Sequence, residues 1–160
     1  MTTPFDSRVI ANRIVDIANA KGMKLTMMQL LKLVYISHGW WLTFSNGKPL
    51  TADKPQAWQY GPVHPLVYRA FRSAGANGIT QKAVDPISGF EFSADIPDEV
   101  NSILDQVVTS YGPIHAYRLS DMTHQEGTPW SRTIKNFKKY APISDALIKE
   151  HFDELRRKRH

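Results

Sequence analysis

The chain has 160 residues, 42% apolar and 22% charged, a formal net charge of +5 and no cysteine. That length can bury the core of one domain, that composition is typical of folded chains, and disorder is excluded. Without cysteine there are no disulfides, thiolate zinc sites, Fe–S clusters or cysteine nucleophiles.

Asp6 or Ser7 can cap a first helix running to about Lys21, with Val9, Ile10, Ile14, Ile17 and Ala18 on its buried side. Asn12, Arg13 and Asp16 are expected on the other side, and Gly22 stops the helix. Thr26-Met27-Met28-Gln29 has the form of a capping box. It opens the densest apolar run of the chain: Leu30, Leu31, Leu33, Val34, Ile36, Trp40, Trp41 and Phe44. These surround much of the helix, as in a helix buried on several sides. Asn46-Gly47 stops it. Gln56 to Tyr60 reads as a short strand, Gly61-Pro62 as a turn, and Pro65 as the first turn of a third helix. Leu66, Val67, Ala70 and Phe71 give that helix a buried face, and Gly75 and Gly78 end it. Ile79, Gln81 and Ala83 face Phe90 and Phe92 across Asp85-Pro86-Ile87-Ser88-Gly89, which predicts a small β-hairpin.

Pro97-Asp98-Glu99 opens a fourth helix carrying Val100, Ile103, Leu104, Val107 and Val108, closed by Tyr111-Gly112-Pro113. Ile114 to Met122 is a fifth helix. Thr128-Pro129-Trp130 starts a sixth, to about Lys138. Ser144-Asp145 opens the last, with Leu147, Ile148, Phe152 and Leu155. The expected architecture is mainly α: one domain over residues 1–160, six to seven helices, a small β-hairpin or short strands, and a basic helical tail over about 144–160. No apolar run reaches the roughly 18 residues that span a bilayer. Residues 1–20 carry Asp6, Arg8, Arg13 and Asp16, so no secretory leader is visible. A cytoplasmic location and no membrane partner are expected.

Six histidines raise the question of chemistry. His38 interrupts the apolar run and reads best as a hydrogen-bonded, partly buried side chain. His115 and His124 lack the i, i+4 pairing of a zinc helix. His124-Gln125-Glu126 has the H-x-E form of zinc deaminases but lacks their cysteine ligands. Ser120, Asp121 and His124 are close in sequence, yet no strand–elbow–helix context accompanies them. Ser120 and Thr123 read instead as caps around a tight turn. There is no phosphate loop. Neither a catalytic group, a metal nor a cofactor is expected, and the protein is not read as an enzyme.

Two features point toward binding. The first is the aromatic set Trp40, Trp41, Trp58 and Trp130 with Tyr35, Tyr60 and Tyr68. Rings with one polar tip suit either a core or a protein interface. Trp40 is expected in the core and Trp58 at least partly at an interface. Gly61-Pro62 is expected to bring Trp58 and Tyr60 beside the helix end that holds His38 and Trp40, forming one surface. The second is the end of the chain. Residues 1–130 hold eleven Lys+Arg and eleven Asp+Glu, whereas residues 131–160 hold nine and four. The run Arg156-Arg157-Lys158-Arg159-His160 complements a helix dipole. It could also bind nucleic acid weakly and without sequence preference. No recognition helix for DNA is evident.

The blocks Leu30-Leu31-Lys32-Leu33-Val34-Tyr35, His38-Gly39-Trp40, Gly47-Lys48-Pro49-Leu50, Ala57-Trp58-Gln59-Tyr60-Gly61-Pro62-Val63 and Val67-Tyr68 resemble the Panacea domain, the SocA-like antitoxin family. Leu119-Ser120, Thr123-His124 and Pro129-Trp130 resemble its later motif. The resemblance spans about Ser7 to Phe137. It implies a proteinaceous antitoxin that neutralises a cognate toxin by binding it, and an adaptor that hands the toxin to the ClpXP protease. Lys32, His38, Trp58, Tyr60, Tyr68 and Arg69 are the expected partner-binding residues. Tyr35, Trp40, Gly61, Pro62, Ser120, Thr123, His124 and Trp130 are motif residues that either hold the fold or bind. The alternative is a phage-associated protein that binds nucleic acid non-specifically through its basic tail.

Overall fold

The computed structural model describes residues 4–74 and 77–158. The Gly75 helix stop, and Arg159 and His160 of the basic run, lie outside them. The described residues form α1 Ser7–Ala20, α2 Met27–Phe44, β1 Gln56–Trp58, β2 Gly61–Val63, α3 Pro65–Phe71, α4 Asp98–Tyr111, α5 Ala116–His124, α6 Pro129–Asn136 and α7 Asp145–Lys158. The two strands pair antiparallel, with Ala57 opposite Pro62. The fold is mainly α, as the periodicities imply.

Helix α2 is the axis. Every residue from Leu31 to Trp40 is buried, because α1, α4, α5, α7 and β2 all pack against this one helix. Its start is the expected capping box: Gln29 N–H donates to Thr26 Oγ1 at 3.2 Å, and Thr26 N–H donates to Gln29 Oε1 at 3.0 Å. The Gln29 amide then donates to the carbonyls of Gly112 and Ile114. One side chain thus caps α2 and holds the α4–α5 connection. At the other end Asn46 and Gly47 both take positive φ, and Gly47 N–H returns to Leu42 O at 2.8 Å. That geometry satisfies a terminal carbonyl and ends the helix.

Helix α7 approaches α2 through Gly39. A Cβ built there would meet the Phe152 ring at 2.2–2.5 Å. The ring fills the space a side chain would occupy, packs edge-on against Trp40 with centroids 5.2 Å apart, and is itself buried. Trp40 is therefore core, as expected.

Several expectations are corrected. Asn12 is not on a solvent face; it is buried and binds the 83–92 segment. Its amide donates to the carbonyls of Ala83 and Phe92, and its Oδ1 accepts from Ala83 N–H. That side chain acts as a short strand edge, and the predicted hairpin forms in brief: Asp85 N–H donates to Phe90 O, Phe92 N–H donates to Ala83 O, and Val84 bridges Glu91. Gly61-Pro62 is not the turn but the start of β2; the turn is Gln59-Tyr60. Helix α5 begins two residues late, where the His115 imidazole accepts from Tyr117 N–H. Ser120 and Thr123 lie inside that helix, and neither caps it. Helix α6 stops at Asn136 and not Lys138. Beyond it Tyr140 N–H donates to Ala57 O, Ala57 N–H to Ala141 O, and Ile143 N–H to Pro55 O. Strand-like bonds to β1 thus replace the last helical turn. On α3, Val67 and Phe71 are buried while Leu66 and Ala70 are only half-buried.

Replacing Gly39 by alanine should force the Phe152 ring to move and lower stability by about 1–3 kcal/mol. Gly39→Ala combined with Phe152→Leu should recover part of that loss in thermal melts, because the two sites share one contact. A Gly39→Ala protein that melts like wild type would show that α7 does not dock on α2 this closely.

Candidate functional site

The β1–β2 hairpin is where the separate sequence motifs meet. Lys32, on α2, is fully buried beneath it and donates from Nζ to Pro62 O at 3.0 Å. Gly61 has a φ of +116°, and a Cβ there would lie 3.0 Å from Thr123 Oγ1 and 3.1 Å from Lys32 Nζ. Both the backbone conformation and the lack of space call for glycine. Ser120 Oγ donates to Tyr60 O at 2.5 Å, and Trp130 Nε1 donates to Trp58 O at 2.6 Å. Three successive parts of the hairpin are therefore held by donors from α2, α5 and α6.

Lys32 forms no ion pair, and among the described residues its one hydrogen bond is to a neutral carbonyl. Burial pushes its ammonium down to about 7. Desolvation disfavours the charged form, and no carboxylate opposes it.

The Ser120–His124–Asp121 grouping does not form a triad. Ser120 Oγ is 3.4 Å from His124 Nδ1, but its proton goes to the Tyr60 carbonyl. His124 Nδ1 lies 2.5 Å from the Ser120 carbonyl and so carries its proton toward that oxygen. Asp121 is 4.0 Å from Nε2. A nitrogen that donates is not a base for the neighbouring hydroxyl. His124 instead packs against Trp130, with ring centroids 5.3 Å apart. No group of three or more His, Asp or Glu among the described residues could hold a metal ion.

His38 is buried, and its surroundings were not legible in sequence. Nδ1 accepts from the Leu50 and Thr51 N–H groups at 3.3 Å each, so the ring proton sits on Nε2, which faces Asp145 Oδ1 at 2.9 Å. Thr51 Oγ1 lies between His38 Nδ1 and His64 Nε2, 3.3 Å and 3.0 Å away. Burial, with the His38 ring alongside, holds His64 well below its ordinary value. Burial opposes ionisation of Asp145, yet the hydrogen bond from His38 and nearby Lys54 bring its carboxyl below the ordinary range. This buried chain joins α2 to the 50–52 loop, to the residue preceding α3 and to the start of α7.

The expected surface joining Trp58 to His38 and Trp40 does not form. Trp40 packs on Phe44 and Phe152. Trp58 packs edge-on against Tyr68 at 5.0 Å and Tyr140 at 5.6 Å, and its Nε1 donates to Gln56 Oε1. Lys32, His38 and Tyr35 are enclosed. Of the expected binding residues, Trp58 and Tyr68 are half-buried, Arg69 is exposed and Tyr60 is 59% exposed. The loop after α6 adds Phe137, 72% exposed, and Tyr140, 54% exposed, which sequence reading placed in or just after a helix. In the basic tail, Arg156 lies over the Phe44 ring at 4.6 Å and Lys158 pairs with Glu154.

Residues 30–131 match the family described as Antitoxin SocA-like, Panacea domain. The chain belongs to that family. It is 32% identical over 155 residues to Antitoxin SocA of Caulobacter vibrioides (strain NA1000 / CB15N), a match covering 92% of this chain and 82% of that protein. No solved structure matches it significantly. The matched span includes Lys32, Gly61, Pro62, Ser120, Thr123 and Trp130, so most of the hairpin's anchors lie within the SocA-like region.

The buried amine gives a pH test. With a folded value near 7 and an ordinary value of 10.5, Lys32 binds fewer protons folded than unfolded between them. Stability contributed by this site therefore rises with pH across that window, and the full burial cost is felt below it. Lys32→Met keeps the volume, loses the bond to Pro62 and should flatten the rise. Denaturant unfolding of both proteins from about pH 7 to about pH 10 reads this directly; parallel profiles would contradict the assigned shift.

Proposed function

We propose that this protein is an antitoxin that neutralises a protein toxin by direct binding, using side chains displayed by the hairpin and its neighbours. The observation that carries the reading is the match to Antitoxin SocA along nearly the whole chain. The geometry agrees with binding and not with catalysis: backbone carbonyls of the hairpin are committed to holding it, while Tyr60 is exposed and Trp58 is half-buried. Trp58, Tyr60, Tyr68 and Arg69 are the proposed contact residues, and interfaces are often centred on a few such aromatic and arginine anchors. Lys32 acts from beneath, by fixing the hairpin backbone, and His38 holds the backbone at Leu50 and Thr51. As an extension that rests on family resemblance alone, the bound toxin is handed to the ClpXP protease. No helix among the described residues is long and apolar enough to cross a membrane.

The test is co-expression with the product of an adjacent small reading frame, scored as cell survival and as affinity of the purified pair. Tyr60→Ala should melt like wild type yet weaken binding by about 2 kcal/mol, roughly thirtyfold. Trp58→Ala should lose both affinity and melting temperature, because its ring is shared between the surface and Tyr68. A Tyr60→Ala protein that binds and protects as well as wild type would remove the hairpin tip from the interface. Failure of the wild type to protect against any adjacent product would end the antitoxin reading.

A further inference from the structure

Two of the acid-free stretches of the sequence meet in the fold. Residues 54–84 carry Lys54, Arg69, Arg72 and Lys82 with no Asp or Glu, and residues 127–144 carry Arg132, Lys135, Lys138 and Lys139 with none. They are far apart in the chain, and the fold brings them together. The 140–143 segment runs along β1 through the bonds of Tyr140, Ala141 and Ile143 to Ala57 and Pro55. Trp58 is the junction, touching Tyr68 of the first stretch and Tyr140 of the second.

The cations on these stretches fall into two groups. Lys54 pairs with Asp145, Lys82 with Asp16 and Glu91, Arg132 with Glu150, and Lys135 with Glu126. Arg69, Arg72, Lys138 and Lys139 form no ion pair among the described residues, and all four are exposed. Arg72 lies four residues after Tyr68, one turn along the same side of the helix. Lys139 reaches over the Tyr140 ring at 5.3 Å. Beside them Phe137, Tyr140, Ala141 and Pro142 line a cleft of about 450 Å³ that the two lysines border. Tyr140 holds a φ of +71°, which a tyrosine rarely adopts. The local backbone is strained in the conformation that exposes this ring, and such strain clusters at functional sites.

We propose that this face docks an acidic segment of the toxin, with an apolar or aromatic side chain in the 137–142 cleft and carboxylates on Lys138, Lys139 and Arg72. The inference rests on the antitoxin reading and specifies the chemistry of its partner. Charge complementarity selects the sign: exposed cations that form no ion pair among the described residues attract carboxylates and repel basic segments. The antitoxin reading makes the occupant a polypeptide; the same rings can stack nucleobases, which makes single-stranded nucleic acid the competing outcome of the test.

The probes are fluorescent synthetic peptides alternating glutamate with leucine and phenylalanine, the same peptides with lysine for glutamate, and an oligothymidylate. Binding is read by anisotropy at physiological salt. The acidic peptide should bind and the basic one should not. Lys138→Glu with Lys139→Glu should weaken acidic-peptide binding by about tenfold or more with an unchanged melt, whereas Arg157→Glu on α7 should not. Equal binding of the two peptides, or indifference to the loop substitutions, overturns the proposal. So does tighter binding of the oligothymidylate that is lost in the same loop variant. Co-expression separates this from the parent reading. A loop variant that loses the acidic peptide but still protects cells overturns the proposed docking and leaves the antitoxin function intact. A wild type that binds the peptide yet protects against no adjacent product overturns the antitoxin reading and with it the toxin as occupant.

Discussion

The hydrogen bond from Lys32 to the Pro62 carbonyl is the constraint on which the proposed contact face depends. A lysine at the most enclosed level of α2 would be expensive to bury without a partner. Its partner is a backbone carbonyl, and β2 brings it there. Glycine is then favoured at position 61, since its φ of +116° strains a side-chain-bearing residue and a Cβ would crowd the same ammonium and Thr123. Once β2 is seated, Ser120 meets the Tyr60 carbonyl and Trp130 meets the Trp58 carbonyl. The motif residues form one structural unit even though they are spread over a hundred positions. A change at any one of them would be felt at the aromatic face without touching it.

The fold was largely readable because its strongest signals are local. The Thr26–Gln29 capping box, the Asn46-Gly47 stop and the Pro97-Asp98-Glu99 start all act within one turn of helix, and each appears where the sequence puts it. The misreadings share a cause: a distant group took over a local hydrogen bond. Asn12 binds Ala83 and Phe92 from some seventy residues away, which takes it off the solvent side of α1. The strand β1 captures Tyr140 and Ala141 and shortens α6. Gly61-Pro62 looks like a turn by composition, yet Lys32 requires it to be strand. Periodicity carries no information about such partners.

The candidate site was legible as a set of motif residues but not in their arrangement. Trp58, Tyr60, Tyr68 and Arg69 are in part or wholly accessible, while Lys32 and His38 lie inside and act on the backbone. Sequence reading treated motif membership as a sign of contact, and it could not separate contact from support. Thr51, His64 and Asp145, which complete the His38 chain, carry no local signature. Phe137 and Tyr140 were hidden by their place beside a helix end. The absence of acids from two separate stretches was visible in the letters, but it acquires meaning only once both are known to share a face.

The hairpin also determines how a partner can approach. A two-stranded sheet ordinarily offers two open edges for strand addition. Here the outer edge of β1 is taken by residues 140–143. At the centre of β2, Pro62 has no N–H to give and its carbonyl belongs to Lys32. Backbone-to-backbone recruitment, which is tolerant of sequence, is closed at both sides. Whatever binds must be read by side chains, and discrimination among closely related partners would then rest on a few ring and charge positions that can change without disturbing the fold beneath.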